Sequence, residues 1–164
     1  MGNHKPRIKL NITTDYYKIE GLTEDELRKQ INTLGPTDNQ GRHAAYTKWE
    51  IICSKQQSGL PLVELKIAFT FPKWDKPNNP NLNIRWTRYT KSLIVHEDGH
   101  KDIAIKASKE INETLYTLYV SGDFVGYNNV ETGIVKKLET KYRLLEIKYD
   151  SSTNHGRTQG AVFP

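Results

Sequence analysis

Cysteine is nearly missing from this chain: of 164 residues, Cys53 alone carries a thiol. No internal disulfide can form, and a zinc site built on thiolates is excluded. Cys53 stands in an apolar run, where a buried, inert thiol is the expected role. No stretch of about eighteen apolar residues occurs, so no membrane-spanning helix is expected. The opening Met1-Gly2-Asn3-His4-Lys5-Pro6 lacks the apolar centre of a signal peptide. Basic residues exceed acidic ones, 24 against 19, for a net charge of +5. They are interspersed with acids instead of gathered in a block, and no nucleic-acid-binding motif is present, so no nucleic-acid partner is expected. Internal repeats and low-complexity segments are absent as well. What is there is an ordinary globular mixture, 36% hydrophobic and 26% charged, in a length that suits one domain over residues 1–164.

Residues 7–19, rich in Ile, Thr and Tyr, read as a strand or a bent pair of strands that ends at Gly21. Thr23 and Glu26 then form a capping box, each side chain placed to accept from the other's amide. The helix it opens, 24 to about 34, is expected to bury Leu27, Ile31 and Leu34 and to stop at Gly35-Pro36. A polar loop, 37–42, leads to two apolar runs, 44–53 and 62–71, the second alternating at period two; joined by the turn 55–61, they predict an antiparallel hairpin. The segment 72–80, with two prolines around Asn78 and Asn79, breaks regular structure. From about 83 to 118, Trp86, Tyr89, Leu93, His96, His100, Ile103, Ala107, Ile111, Leu115 and Leu118 recur every three or four residues and define the inner face of a long helix. Ser121-Gly122-Asp123 closes it, 124–129 reads as a loop, and 130–148 as a second helix with Ile134, Leu138, Tyr142, Leu145 and Tyr149 on one face. The expected class is α+β: a small antiparallel sheet with an N-terminal helix, then a long helix and a second, C-terminal helix.

The long helix carries His96-Glu97-Asp98-Gly99-His100, a match to HExxH. Four residues apart, the two imidazoles lie one turn above each other and can reach one metal ion, while Glu97 beside them can polarise a bound water. Both histidines fall on the apolar stripe, and burying two imidazoles and a carboxylate in one turn demands a partner for each, which a metal with its water supplies. Gly99 costs on the order of 1 kcal/mol relative to Ala in a helix interior, which points to a close approach there by another backbone or a ligand. A catalytic zinc takes three protein ligands and keeps one position open. By position His155 leads as the third ligand, with Asp150, Glu131 and Glu139 as rivals; His4 and His43 read as surface residues. Tyr149, Arg157 and the Thr153 hydroxyl are candidates to stabilise an anionic intermediate, by nearness to His155. Asp102 and Asp150 are candidates to orient a ligand histidine from behind, and Thr153 to support that segment.

Taken together, Tyr16-Tyr17, Ala45-Tyr46-Thr47-Lys48-Trp49, Phe71-Pro72-Lys73-Trp74, Trp86 with Arg88-Tyr89, HEDGH and the tail Tyr149–Ala161, of pattern YDxxTxHGxxQGA, resemble the bacterial domain of unknown function 922. That family is described as predicted secreted zinc-dependent proteases. The resemblance covers nearly the whole chain, with the tail as its most specific part. It implies a zincin-like metallopeptidase domain with one Zn2+ per chain, His96 and His100 as ligands, Glu97 as catalytic residue and the His155 segment at the site. It also implies a peptide or protein substrate and a secreted or periplasmic location. The alternative is a non-catalytic metal-binding scaffold or binding module of the bacterial cell envelope. Intact His96, Glu97 and His100 favour the enzyme, because a purely structural site has no use for the open position or the glutamate.

Overall fold

Strand β1 (Ile8–Ile19) opens the architecture in a computed structural model that describes residues 8–75, 79–123 and 133–163 of the chain. The helix α1 follows at Glu24–Leu34, bounded as its signals predict. Its capping box closes in both directions, with the Glu26 amide donating to Thr23 Oγ1 at 3.3 Å and the Thr23 amide to Glu26 Oε2 at 3.1 Å. Leu27 and Ile31 are buried, but Leu34 is 51% exposed: the helix outruns its cover before the last turn.

The segment expected as a loop folds into two short strands, β2 (Thr37–Asp38) and β3 (Gly41–Arg42), paired antiparallel with Asp38 opposite Gly41. Asp38 Oδ1 stabilises the bend between them by accepting from the amides of Gln40 and Gly41. β4 (Tyr46–Lys55) and β5 (Pro61–Trp74) follow, joined through Gly59 in the left-handed region. In β5 the period-two pattern resolves as buried Val63, Leu65, Ile67 and Phe69.

The three long strands form one sheet in the order β1-β5-β4. It is mixed, where an all-antiparallel sheet was expected. Moving along β1, Lys9 meets Glu64 and Lys18 meets Asp75, so β1 and β5 advance in the same direction. The connection that carries α1 between β1 and the hairpin gives the chain the length that parallel pairing needs.

Helix α2 runs from Pro80 to Ser121, 42 residues, and α3 from Ile134 to Thr153. Of the residues expected to open α3, 130–132, Glu131 among them, lie outside the described residues, as does the loop 124–129; Gly133 is a turn and the helix starts at Ile134. No described helix is long and apolar enough to cross a membrane. Contacts divide the chain into two units. One takes in the chain to Ile12, Trp49–Ile67 and Lys101–Ile147; the other Thr13–Lys48, Ala68–His100 and Lys148 onward.

In the first unit Ile51, Val63, Leu65, Ile111 and Leu115 are buried, and the Arg143 guanidinium lies 3.5 Å from the centroid of the buried Trp49 ring. On α3 the buried hydrophobic members are Val135 and Tyr142, whereas Leu145 of the expected inner face is 40% exposed. In the second unit Ile19, Leu27, Ile31, Trp74, Trp86, Tyr89 and Leu93 form a continuous core, to which Phe163 adds its ring near the end of the chain. Trp74 and Trp86 meet edge to face at 5.6 Å, and the Trp74 indole donates to the Gly21 carbonyl at 3.1 Å. This unit holds the HEDGH turn.

Candidate metal centre

His96, Glu97 and His100 are 5%, 4% and 9% exposed, so the polar turn is buried as its place on the apolar stripe predicts. What faces it comes from the end of α3. The polar run after residue 148 stays helical as far as Thr153, whose hydroxyl donates back to the Tyr149 carbonyl at 2.8 Å. Asn154 and His155 then take left-handed conformations at φ 49° and 50°, and Gly156 follows at 80°. The His155 amide, bonded to the Asp150 carbonyl at 2.8 Å, tightens this exit, and a 3-10 turn over Arg157–Gln159 completes it.

The extension of α3 puts Asp150 on the histidines. Its Oδ1 lies 3.0 Å from His100 Nε2 and 3.2 Å from His96 Nε2, with the two rings 5.0 Å apart and nearly perpendicular. One ligand atom from each of His96, His100 and Asp150 lies within 4.8 Å of the others, and the three can hold a metal ion. Two imidazoles and a carboxylate are a donor set that divalent metals accept. Burial pushes the Asp150 carboxyl up, but the His100 and His96 rings outweigh it and hold the group well below its ordinary value, as an anion.

Glu97 points elsewhere in the same buried turn. Its Oε2 accepts from the Thr47 hydroxyl of β4 at 2.5 Å. Burial holds the Glu97 carboxyl above its ordinary value, against the opposing effects of the Thr47 hydrogen bond and the two histidines.

Tyr149 stacks on the His96 ring, 5.1 Å between centroids and 11° from parallel, and its hydroxyl donates to the His96 carbonyl at 3.1 Å. This is the close approach that Gly99 signals: a Cβ at residue 99 would collide with the Tyr149 hydroxyl and ring. Gly156 has a matching role, since a Cβ there would lie 2.9 Å from His96 Cγ. Gln159, between these glycine-bounded turns, places Oε1 3.0 Å from His96 Nδ1 and Nε2 3.0 Å from the Tyr149 hydroxyl.

The residues singled out from sequence thus fall into distinct settings. His96, His100 and Asp150 converge, with Glu97 and Tyr149 against them. His155 is adjacent, its Nδ1 3.9 Å from Asp150 Oδ1, and its side chain is 59% exposed. Thr153 is buried and caps the end of α3, accepting from the Gly156 amide at 3.3 Å. Arg157 and Asp102 are exposed, Glu139 belongs to the first unit, and Glu131 lies outside the described residues. Thr47 and Gln159 are the residues that sequence reasoning did not assign. Thr47 stood within the Ala45–Trp49 segment of the resemblance with nothing to single out its hydroxyl, whereas a carboxamide flanked by Gly156 and Gly160 in the most specific segment of the chain was a visible signal.

No curated protein and no solved structure matches the chain. The family described as "Bacterial protein of unknown function (DUF922)" matches residues 14–156, a span that runs from β1 through the HEDGH turn to Asp150 and Gly156. With most of its length matched, the chain belongs to this family.

Proposed function

We propose that the chain is a zinc-dependent hydrolase of peptide bonds. One observation carries the reading: a buried His96–His100–Asp150 cluster whose ligand atoms lie within 4.8 Å of one another, with the HExxH glutamate in the same helical turn. His96 and His100 would hold the ion through Nε2 and Asp150 through Oδ1, the atoms that already converge. Bound there, zinc supplies Lewis acidity that polarises a carbonyl and brings the pKa of water toward neutrality. Glu97 takes the proton from the attacking water and returns it to the leaving amine. The Thr47 hydroxyl fixes the direction of the carboxylate during that transfer. Arg157, exposed at the start of the 3-10 turn, is the candidate donor to the developing oxyanion, and Tyr149 braces the His96 turn from behind. His155 stands beside the cluster as an outer partner of Asp150. The same reading has the enzyme act on peptide or protein substrates outside the cytoplasm.

The test is metal analysis combined with a broad peptide library. Purified protein is expected to carry one zinc per chain, retained in Glu97→Gln, lost in Asp150→Ala and kept in His155→Ala; the reverse order for the last two variants would give His155 the third position. Cleavage should disappear with chelator and with Glu97→Gln. A chain that binds no zinc refutes the proposal. A zinc-loaded chain that cleaves nothing across the library refutes catalysis and favours a metal-binding scaffold.

A further inference from the structure

The hydrogen bonds around His96 have a direction that can be traced from a fixed starting point. A backbone carbonyl can only accept, so the Tyr149 hydroxyl, 3.1 Å from the His96 carbonyl, spends its one proton there. The Tyr149 oxygen is then left to accept, and its nearest carboxamide atom is Gln159 Nε2 at 3.0 Å, with Oε1 farther off at 3.4 Å. With the tyrosine proton on that carbonyl, the Gln159 amide faces nitrogen toward tyrosine and oxygen toward the histidine ring. Gln159 Oε1 lies 3.0 Å from His96 Nδ1 and carries no proton, so Nδ1 must donate. With Nδ1 donating, the ring coordinates through the lone pair on Nε2, the atom that faces Asp150 Oδ1 at 3.2 Å; an ion joins these two acceptors when bound, and a proton on Nε2 joins them in its place when it is not.

We infer that Gln159 is a positioning residue for the metal site: through the relay His96 carbonyl, Tyr149 hydroxyl, Gln159 carboxamide, it sets His96 in the tautomer that presents Nε2 to the ion. The inference rests on the metal-binding reading above and adds to it a residue outside the HExxH helix. The turn that holds Gln159 is built for the task. Gly156 and Gly160 bracket it at φ 80° and 90°, and the missing side chain at Gly156 lets the backbone close on the His96 ring. Ala161 bonds back to the Gly156 carbonyl at 3.0 Å, which closes the turn on itself. The relay also ties the carboxy-terminal turn to the HEDGH turn with directional bonds that packing alone would not require. A partner of this kind on the non-ligating ring nitrogen is worth about 10- to 100-fold in metal affinity.

The discriminating comparison is Gln159→Met against Gln159→Glu. Methionine keeps the length and packing of the side chain but offers no acceptor of comparable strength; glutamate keeps the acceptor for His96 Nδ1 and alters the charge. Zinc affinity, measured by competition with a chromophoric chelator, should fall about 10- to 100-fold in Gln159→Met and stay within about threefold of wild type in Gln159→Glu. A packing role predicts the opposite order. Tyr149→Phe, which keeps the ring stacked on His96 and removes the hydroxyl, should weaken zinc in the same direction as Gln159→Met. Imidazole 15N shifts of the metal-free protein supply a second readout that does not depend on metal. Wild-type His96 should be protonated at Nδ1, and that preference should be lost in Gln159→Met. Zinc binding by wild type with undiminished affinity in Gln159→Met overturns the inference and leaves the metal site standing. A wild-type chain that binds no zinc removes the metal-binding reading, and His96 protonated at Nε2 alone overturns the relay whether or not zinc binds.

Discussion

Replacing Gly99 by alanine tests the packing behind the candidate metal centre, because two effects of opposite sign meet at one atom. In a solvent-exposed helix the change would stabilise by about 1 kcal/mol, through higher helix propensity. Here the added methyl group would fall on the Tyr149 hydroxyl and ring, which must move. Forcing an extra methyl into a packed site costs about 1–3 kcal/mol. A displaced Tyr149 also gives up its bonds to the His96 carbonyl and Gln159, each worth about 1 kcal/mol net. The unfavourable effects win, and Gly99→Ala should destabilise by about 2–4 kcal/mol, or about 5–15 °C in melting temperature for a chain of this size. The assay is thermal unfolding followed by circular dichroism, with chelator present so that metal binding does not add to the stability of either protein. Tyr149→Ala supplies the control: with the obstruction gone, Gly99→Ala should become stabilising by up to about 1 kcal/mol. A change of sign between the two backgrounds is the signature of the contact. Gly99→Ala that is as stable as wild type, or has the same effect in both backgrounds, refutes the placement of Tyr149 over this turn.

Gly156→Ala should lose about 1–2 kcal/mol of stability and, on the proposed metal-binding reading, zinc affinity as well, since residue 156 is left-handed and its new Cβ would press on His96 Cγ; thermal melts and chelator competition measure the two losses. Arg143→Lys should cost about 1 kcal/mol in denaturant titration, because lysine cannot cover the Trp49 ring while also donating to the Trp49 carbonyl and Glu146 as arginine does at 3.0 Å each. Glu110 should give the stability a pH dependence at both ends. Hydrogen bonds from Lys141 and Tyr142 hold its carboxyl below the ordinary 4.5, so the stabilisation is present above that pH and lost as pH falls through the lowered value. Burial and the bond to Glu110 raise Tyr142 from 10.0 to about 12, so its contribution is present below 10.0 and lost as pH climbs toward 12. Stability curves of wild type and Glu110→Gln should therefore differ most between these limits and converge at acid pH; a difference that persists unchanged into acid would contradict the assignment.

The parts of the fold that were legible in the sequence are those set by neighbours in the chain. The capping box placed the start of α1, and Gly35 placed its end, because both act within one helical turn. The apolar period placed α2 and, with it, the burial of His96 and His100. The direction of β1 against β5 was not legible, since it depends on pairing between segments about fifty residues apart, for which alternation within each strand carries no information.

The same distinction decides the candidate site. Asp150-Ser151-Ser152-Thr153-Asn154 has the composition of a turn, residues that compete with the helix through their own side chains, and on that ground the helix was expected to end near 148. In the folded chain Thr153 turns this tendency inward, bonding the carbonyl one turn back, while Asn154, His155 and Gly156 absorb the exit in left-handed conformations. Those few residues of added helix determine which side chain looks at the histidines. Asp150, still on the helix, aligns with His96 and His100, and His155, beyond its end, points toward solvent with only a 3.9 Å approach to Asp150. Chain position alone could therefore bring the right segment to the histidine cluster without choosing among its residues, because that choice rests on the rotation of about 100° that each further helical residue adds.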